Sequence, residues 1–283
     1  MLVDKPAGPT SHDVVMGVRR ALGIRSAGHT GTLDPFATGL MIVLLGRATR
    51  LARFVSAQPK RYLASARLGS ATTTDDLTGA PLAAGGVAVR IPSSAEISVA
   101  LESFRGGSMQ RPPAFSARHV DGERSYRLAR RGVEVELPET PVTVHDIELV
   151  GAHGDQVDFR ATVSAGTYIR AIARDLGERL GTGAHLTALR REAIGSVDVE
   201  RAVPLAALGA ETPVLSALDA VRHLPAVTLD ADGARDVSHG RAVEGAISAE
   251  EGTALALVFE ERLAAIADVR EGRLQPIVVL ESA

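Results

Sequence analysis

The sequence predicts an α+β protein with a small β-rich region appended at its C-terminus. Over residues 1–205, stretches with a helical spacing of apolar residues alternate with short runs that are typical of strands. After residue 205 the composition turns acidic, and short strand-like runs follow one another between glycines and charged residues. We therefore expect one domain over residues 1–205 and a second, smaller β-rich domain over residues 225–283.

The larger domain opens with a helix and a loop. Ser11 is suited to cap a helix whose apolar stripe is formed by Val14, Val15, Val18 and Leu22. Residues 26–39 contain three glycines and one proline without useful periodicity, which predicts a loop. The continuous apolar run Leu40–Leu45 predicts a buried strand, and the alternating run Arg61–Leu68 predicts a second one.

The rest of the chain continues the mixture of helices and strands. Residues 70–92 are rich in Thr, Asp, Gly and Pro and predict a loop, after which a short helix buries Ile97, Leu101 and Phe104. The strand Val157–Val163 leads into a longer helix with inward residues at Ile169, Ile172, Ala173, Leu176 and Leu180. The C-terminal strands are predicted at Ala254–Phe259, Leu263–Val269 and Pro276–Leu280.

Charge is distributed unevenly along the 283 residues, although the formal net charge is only −3. Residues 200–283 hold 14 acidic and 7 basic side chains, whereas Arg47–Arg67 holds six basic side chains and no acid. Arg105–Arg131 holds seven arginines and two acids. Such stretches are the expected footprint of a polyanion-binding surface, although solvated helices also carry charge runs. The chain has no cysteine, which excludes disulfides and thiolate metal sites and is typical of the reducing cytoplasm.

Asp34 is the acid with the most distinctive surroundings. It follows Gly28 and Gly31, which permit tight turns and close approach of a ligand, and it precedes Pro35, which biases it towards an extended backbone. A carboxylate held in such a loop, just before a buried strand, is suited to act as a nucleophile or a general base. The alternative is an aspartate that only caps a turn.

Three further residues are candidates for the same chemistry. Arg170 stands in the first turn of its predicted helix, where the helix dipole favours acids, so its position makes sense if the guanidinium binds a carboxylate or a phosphate. Tyr168 stands beside it. Tyr62 lies within a basic stretch, where an aromatic ring suits stacking on a nucleobase, although it equally suits the core.

Histidine spacing and short motifs narrow the classes of chemistry. The histidines are not at metal-ligand spacing, and no P-loop, Rossmann fingerprint or G-x-S-x-G motif occurs. We therefore expect no metal and no cofactor, and we do not expect nucleotide-driven or serine-hydrolase chemistry. The N-terminus lacks the apolar region of a signal peptide, and the longest apolar run is far shorter than a bilayer span, so we expect no membrane association.

Five motifs follow one another over residues 1–205. They are Asp4-Lys5-Pro6 with Thr10-Ser11, GHTGTLDPFATG at 28–39, KRY at 60–62 with Thr72–Asp76, PPAFSARHVDGERSYRLARRGVEVE at 112–136, and GTYIRAIARDLGERLG at 166–181 with GAHLTALRR at 183–191. In this order and spacing they resemble the TruB family of pseudouridine synthases, and the second motif is highly specific. The segment Thr72–Asp76 departs from the family, which more often has an acid between the first two threonines.

The resemblance implies a pseudouridine-synthase fold, a mixed and mostly antiparallel sheet flanked by helices, with a PUA-like C-terminal domain. It makes Asp34 the catalytic aspartate, Tyr62 the tyrosine that stacks on the target base, and Arg170 the arginine that pairs with the aspartate. We expect this pairing to keep Asp34 ionised, since a nearby positive charge lowers a carboxyl pKa.

The resemblance also implies the substrate and its contacts. The reaction is the isomerisation of uridine 55 in the T-arm stem-loop of tRNA to pseudouridine, by a cytoplasmic monomer with no obligate protein partner. Lys5 is expected to support the floor of the active site, and Tyr168 is the aromatic of its motif. The residues expected to contact RNA include His29, Thr30, Arg118, Arg124, Arg127 and Arg131.

Three other functions remain open at this stage. A non-catalytic RNA-binding or tRNA-folding protein on the same fold would not need Asp34, Tyr62 and Arg170 together, yet all three are present. A glycosidase would need two carboxylates flanking one bond, and only one acid stands in a well-marked loop. A pseudouridine synthase acting on a different RNA is the third alternative, and the lack of charged extensions favours the tRNA enzyme over it.

Overall fold

A computed structural model describes residues 1–82, 90–116, 137–244 and 249–280, together with 119–120, 123–125, 128, 131 and 133 between them. The helices of the described residues are α1 (Ser11–Leu22), α2 (Ala52–Ser56), α3 (Ser94–Glu102), α4 (Ile169–Arg179), α5 (Ala217–Ala220) and α6 (Ala231–Ser238). The strands are β1 (Leu2–Lys5), β2 (Ala27–His29), β3 (Thr38–Leu45), β4 (Lys60–Leu68), β5 (Gly106–Gln110), β6 (His119–Val120), β7 (Glu123–Arg124), β8 (Thr140–His153), β9 (Gln156–Val163), β10 (Ala184–Ile194), β11 (Val197–Asp198), β12 (Val203–Pro204), β13 (Ala226–Thr228), β14 (Ala254–Phe259), β15 (Arg262–Arg270) and β16 (Arg273–Val279).

A ten-stranded mixed sheet forms the centre of the larger domain, in the order β12-β1-β3-β10-β4-β9-β8-β5, with β2 on β3 and β11 on β10. Strand β10 is parallel to β3 but antiparallel to β4, and β12 is parallel to β1, while the other pairs are antiparallel. The predicted mixed, mostly antiparallel sheet is therefore confirmed. Strand β10 comes late in the chain but lies between two early strands, so it brings distant segments together.

Alternation along the strands gives the sheet two apolar faces. In β3, Met41 and Val43 face one cluster with α1, α3 and α4, whereas Leu40, Ile42 and Leu44 face a second cluster. This second cluster also contains residues of the C-terminal sheet, including Ile266. The larger sheet is thus covered by helices on one side and, over β1 and β3, by the C-terminal domain on the other.

Helix α1 begins one residue earlier than the sequence pattern suggested, and this frees Ser11 for another contact. Thr10 is the N-cap and forms a reciprocal capping box with Asp13, so Ser11 is the first helical residue. Its buried hydroxyl donates to the carbonyl of Leu33 (2.9 Å) and accepts from the amide of Leu33 (2.8 Å). Ser11 therefore fastens the start of α1 to the residue before Asp34.

The C-terminal domain contains a four-stranded sheet in the order β13-β14-β15-β16, which confirms the predicted β-rich appendage. Two arginines of the larger domain bind the end of β16 and the residue after it: Arg47 donates to the carbonyl of Leu280 (3.1 Å) and Arg50 to that of Val279 (2.6 Å). Within the described ranges, no helix is both long and apolar enough to cross a membrane.

Candidate active site

The loop that carries Asp34 connects β2 to β3, and a buried lysine binds its backbone. Lys5, at the end of β1, is 0 % exposed, and its Nζ donates to the carbonyls of Pro6 (3.0 Å), Pro35 (3.1 Å) and Ala37 (2.6 Å). Burial lowers the pKa of Lys5 to about 8, although the charge of Asp34 opposes that change. Lys5 therefore lies beneath the loop and fixes the backbone on the C-terminal side of Asp34.

Arg191, which the sequence analysis did not single out, fixes the other side of the loop. This side chain is 1 % exposed and donates to the carbonyls of Leu40 (2.7 Å), Gly31 (3.1 Å) and Thr32 (3.5 Å). Its strand lies against Gly39, where a Cβ would stand 2.3 Å from the Arg191 carbonyl oxygen and where φ is +105°, so only glycine fits. Two buried cations thus hold carbonyls both before and after Asp34.

Asp34 faces Arg170 in a two-pronged ion pair. Arg170 Nε lies 2.9 Å from Asp34 Oδ2, and Nη2 lies 3.3 Å from Oδ1. The same guanidinium donates to the carbonyls of Phe115 (2.8 Å) and Thr74 (2.9 Å), and its Nη1 lies 3.6 Å from Asp76 Oδ2. Because Arg170 is only 4 % exposed, these contacts fix the orientation of its charge towards Asp34.

The pKa of Asp34 is raised overall, because the lowering expected from Arg170 is present but is outweighed by burial. Burial is the main cause, the charges of Arg170 and Lys5 oppose it, and the neighbouring Asp76 raises the pKa further. The side chain keeps 32 % of its surface accessible from the cleft, so the carboxylate remains able to meet a substrate. Neither the burial of Asp34 nor the approach of the second acid is visible in the local spacing of the sequence.

Asp76 is a second acid of the site. It is 4 % exposed, and its Oδ1 accepts from the hydroxyls of Thr74 (2.7 Å) and Thr78 (2.6 Å) and from the amide of Thr78 (2.9 Å). These bonds orient its other oxygen towards Arg170. The sequence signal was present in the Thr72–Asp76 motif, but the spacing did not show which strand or helix this loop meets.

A cleft of about 380 Å³ opens beside the carboxylate, within the size range of small-molecule sites. Tyr62 is 7 % exposed and lines it from β4, next to Arg191 on β10. Tyr168 precedes α4, and its amide and carbonyl are bound by the side chain of Gln110 at 2.9 Å and 3.1 Å. The cleft is lined by Gly31, Thr32, Leu33, Asp34, Lys60, Tyr62, Phe115, Ser116, Gly166, Thr167, Tyr168, Ile169, Arg170, Leu189 and Arg191.

The structure does not bring His29 and Thr30 into the wall of this cleft. Thr30 is 4 % exposed, and its hydroxyl lies 3.5 Å from the carbonyl of Ile42, so its side chain packs inside the protein. His29 is half-buried, and burial together with the charge of Arg191 lowers its pKa. Their predicted contacts with RNA stay predictions.

The arginines of the two basic stretches are described by the structure to different extents. Arg118 and Arg127 lie outside the described residues, Arg124 is described only as backbone in β7, and Arg131 is exposed. In the stretch Arg47–Arg67, Arg61 pairs with Glu192 and Asp198, and Arg67 pairs with Asp155. Part of the positive charge of that stretch is therefore compensated within the protein.

As a whole, the arrangement is an oriented carboxylate with one arginine partner, set in a cleft with aromatic walls. A carboxylate so placed is able to attack an electrophilic carbon or to stabilise a developing cation. Within the described residues, no three His, Asp or Glu side chains gather in a way that suits a metal ion.

The chain is similar to known proteins over nearly its whole length. Residues 19–169 match the model described as TruB family pseudouridylate synthase (N terminal domain), and residues 170–222 match the tRNA pseudouridylate synthase B C-terminal domain. The tRNA pseudouridine synthase B of Thermobifida fusca is 44 % identical over 99 % of this chain and 97 % of the relative. That of Synechococcus sp. is 42 % identical over the same shares.

Solved structures agree with this similarity. A Cbf5-Nop10-Gar1 complex contains a chain that superposes with a TM-score of 0.76 at 27 % identity, covering 99 % of this chain and 83 % of that one. An archaeal box H/ACA sRNP Nop10-Cbf5 complex gives a TM-score of 0.75 at 26 % identity, covering 99 % and 85 %.

Proposed function

The chain belongs to the TruB family of pseudouridylate synthases, and from this we propose that it isomerises uridine 55 in the T-arm of tRNA to pseudouridine. It is an isomerase acting on tRNA, as its curated relatives are. The observation that carries the role of Asp34 is its two-pronged contact with the buried Arg170 in the wall of the cleft.

The reaction breaks the N1–C1′ bond of uridine, rotates the uracil and joins C1′ to C5; the proton of C5 leaves to water, and N1 takes up a proton from water. Atoms and electrons balance without an oxidant or reductant, so the protein must supply orientation and charge. Asp34 serves as the carboxylate that attacks the nucleotide or stabilises the electron-poor sugar, and Arg170 holds it in place and favours its ionised form. Tyr62 stacks on the extruded base.

The uridine must leave the base stack before it can react, and the free energy of tRNA binding must offset the cost of this extrusion. Unstacking a base costs a few kcal/mol, and stacking on an aromatic ring returns about 1–3 kcal/mol. Phosphate contacts from the arginines at 118, 124, 127 and 131 supply the remainder, and the loop shape of the T-arm supplies recognition.

We further propose that residues 1–205 form the catalytic domain and residues 225–283 a PUA-like domain, in a cytoplasmic monomer. The relatives named as tRNA enzymes are 42–44 % identical, whereas the chains from H/ACA complexes are 26–27 % identical. This difference favours tRNA over a different RNA substrate.

The test is replacement of Asp34 by Asn, which keeps the shape and removes the charge. We expect tritium release from tRNA labelled at C5 of uridine to fall at least about a thousandfold, with tRNA binding nearly unchanged, because phosphate contacts carry affinity. Asp155→Asn is the matched control, since that half-exposed acid pairs only with Arg67 in the described contacts. Activity of Asp34→Asn within about tenfold of wild type would refute the assignment.

A further inference from the structure

A second arginine stands one helical turn after Arg170. Arg174 Nη1 lies 3.1 Å from Asp75 Oδ2, and its Nη2 donates to the carbonyl of Arg111 (3.0 Å). Its guanidinium also contacts the adjacent Asp175 (2.8 Å). The side chains of Arg174 and Asp75 are 21 % and 15 % exposed, so this ion pair is shielded from water much more than the surface pairs of the molecule.

Arg170 and Arg174 connect α4 to the same two segments. Arg170 donates to Thr74 and Phe115, as described above, and Arg174 reaches Asp75 and Arg111. The first partner of each arginine lies in the loop 72–79, and the second lies in the segment 111–116. Residues four apart on a helix lie on one face, so the two guanidinium groups form a continuous contact with both segments.

Asp75 holds an unusual backbone conformation at this contact. Its φ is +59°, a left-handed value that Asp and Asn tolerate better than most residues with a side chain. Its carbonyl accepts the amide of Leu186 in β10 (3.0 Å), which ties the loop to the sheet. Asp75 is therefore bound from two sides, through its carboxylate to α4 and through its carbonyl to β10, so the ion pair helps to hold the loop in place.

We propose that Arg174 and Asp75 form a positioning clamp, which fixes the loop 72–79 against α4 and so sets the orientation of Arg170 and Asp76 towards Asp34. The clamp does not touch the reacting atoms. It acts on the proposed reaction by holding Arg170, whose contact with Asp34 must stay aligned while the nucleotide rearranges. The proposal rests on the pseudouridine synthase function given above.

The experiment measures single-turnover tritium release and tRNA affinity separately. The variants are Arg174→Met, Arg174→Lys, Asp75→Asn and the double variant Arg174→Met with Asp75→Asn. Asn tolerates the left-handed backbone, so Asp75→Asn removes the charge without new strain. Arg179→Met is the matched control, because Arg179 lies on the same helix but contacts Ser103 and the ring of Phe104 instead.

We expect Arg174→Met and Asp75→Asn to lower the single-turnover rate about tenfold each while tRNA affinity changes less than about twofold. The double variant should be no slower than the slower single one, Arg174→Lys should recover part of the rate, and Arg179→Met should match wild type. The acid limb of the pH profile should move to higher pH in Arg174→Met. Asp34 faces the positive charges of Arg170 on α4 and Lys5 on β1 and the negative charge of Asp76 in the loop. A displaced Arg170 would stabilise the carboxylate of Asp34 less, so the pKa of Asp34 would rise further.

Rates of both single variants within about twofold of wild type would overturn the clamp, as would multiplicative losses in the double variant. The clamp would also be overturned if the single-turnover rate fell in proportion to the melting temperature while the acid limb of the pH profile stayed in place. That result would show that Arg174 and Asp75 have a structural role only. An active wild type with unaffected variants refutes the clamp alone. A folded wild type that binds tRNA but forms no pseudouridine refutes the proposed function and the clamp with it.

Discussion

At the scale of single residues, Asp34 shows a conflict between stability and function. Its pKa is raised by burial, so folding makes ionisation of this carboxyl less favourable than it is in the unfolded chain, whereas the reaction needs the carboxylate. The stability that the protonated form contributes is present at low pH and is lost as the pH rises from the ordinary value of about 3.9 through the raised one. The ionised site is therefore less stable than the protein could otherwise be, as functional sites often are.

Asp34 and two buried lysines of the site together predict a bell-shaped dependence of the rate on pH. The rate should rise as Asp34 ionises and should fall again near pH 8, where Lys5 and Lys60, both with a pKa of about 8, lose their protons. A neutral Lys5 has two N–H donors for three carbonyls and holds the catalytic loop less firmly. Single-turnover tritium release across the pH range of the intact fold measures both limbs. A rate that stays level well above pH 8 would show that deprotonation of Lys5 and Lys60 does not slow the reaction.

At the scale of elements, the turn between β14 and β15 is unfavourable for its sequence. Phe259 pairs with Arg262, so Glu260 and Glu261 form a two-residue turn, with φ of +47° and +59°. Turns of this kind prefer Asn and Gly, because other side chains clash with the backbone at positive φ.

The double substitution Glu260→Asn with Glu261→Gly should stabilise the C-terminal sheet. We expect the free energy of unfolding to rise by about 0.5–1 kcal/mol per position, since the relief of strain exceeds the added freedom of the unfolded chain. Urea denaturation measures the change. Glu250→Asn, at an exposed acid outside this turn, is the control and should change nothing. An equal effect of the control would show that loss of negative charge is the cause.

Local patterns predicted the elements well but not their partners. The buried run Leu40–Leu45 and the alternating run Arg61–Leu68 indicated two strands that the structure confirms as β3 and β4, each slightly longer. That β10 lies between them depends on pairings across the whole chain, which no short window contains. For the same reason the sequence marked the loop of Asp34 but missed the contacts of Ser11, Arg191 and Arg174, whose significance comes only from what they bind.

At the scale of the whole molecule, Arg124, Arg127 and Arg131 of the second basic stretch should carry much of the electrostatic contact with tRNA, because clustered arginines are the expected footprint of a polyanion-binding surface. We predict that neutralising Arg124, Arg127 and Arg131 together weakens tRNA binding and flattens the dependence of log K on log salt. Each lost phosphate contact should lower the slope by about 0.7–0.9.

Two arginines of the first basic stretch, Arg61 and Arg67, provide the control. Neutralising Arg61 and Arg67, which bind Glu192, Asp198 and Asp155, should leave the slope unchanged. Salt titrations of binding measure both sets. A slope that falls when Arg61 and Arg67 are neutralised, but not when Arg124, Arg127 and Arg131 are, would show that the RNA lies against a different face of the domain.

The position of β10 between β3 and β4 also has a consequence for synthesis of the chain. Asp34 and Arg170 are 136 residues apart, and the strand that carries Arg191 beneath the catalytic loop follows later still. A nascent chain that has exposed only its first strands must therefore wait, with an unfilled gap between β3 and β4, until β10 has left the ribosome. Such non-local pairing folds slowly and leaves strand edges open in the meantime. The cleft can first bind tRNA only after that insertion, so the onset of activity would mark the moment at which the large sheet closes.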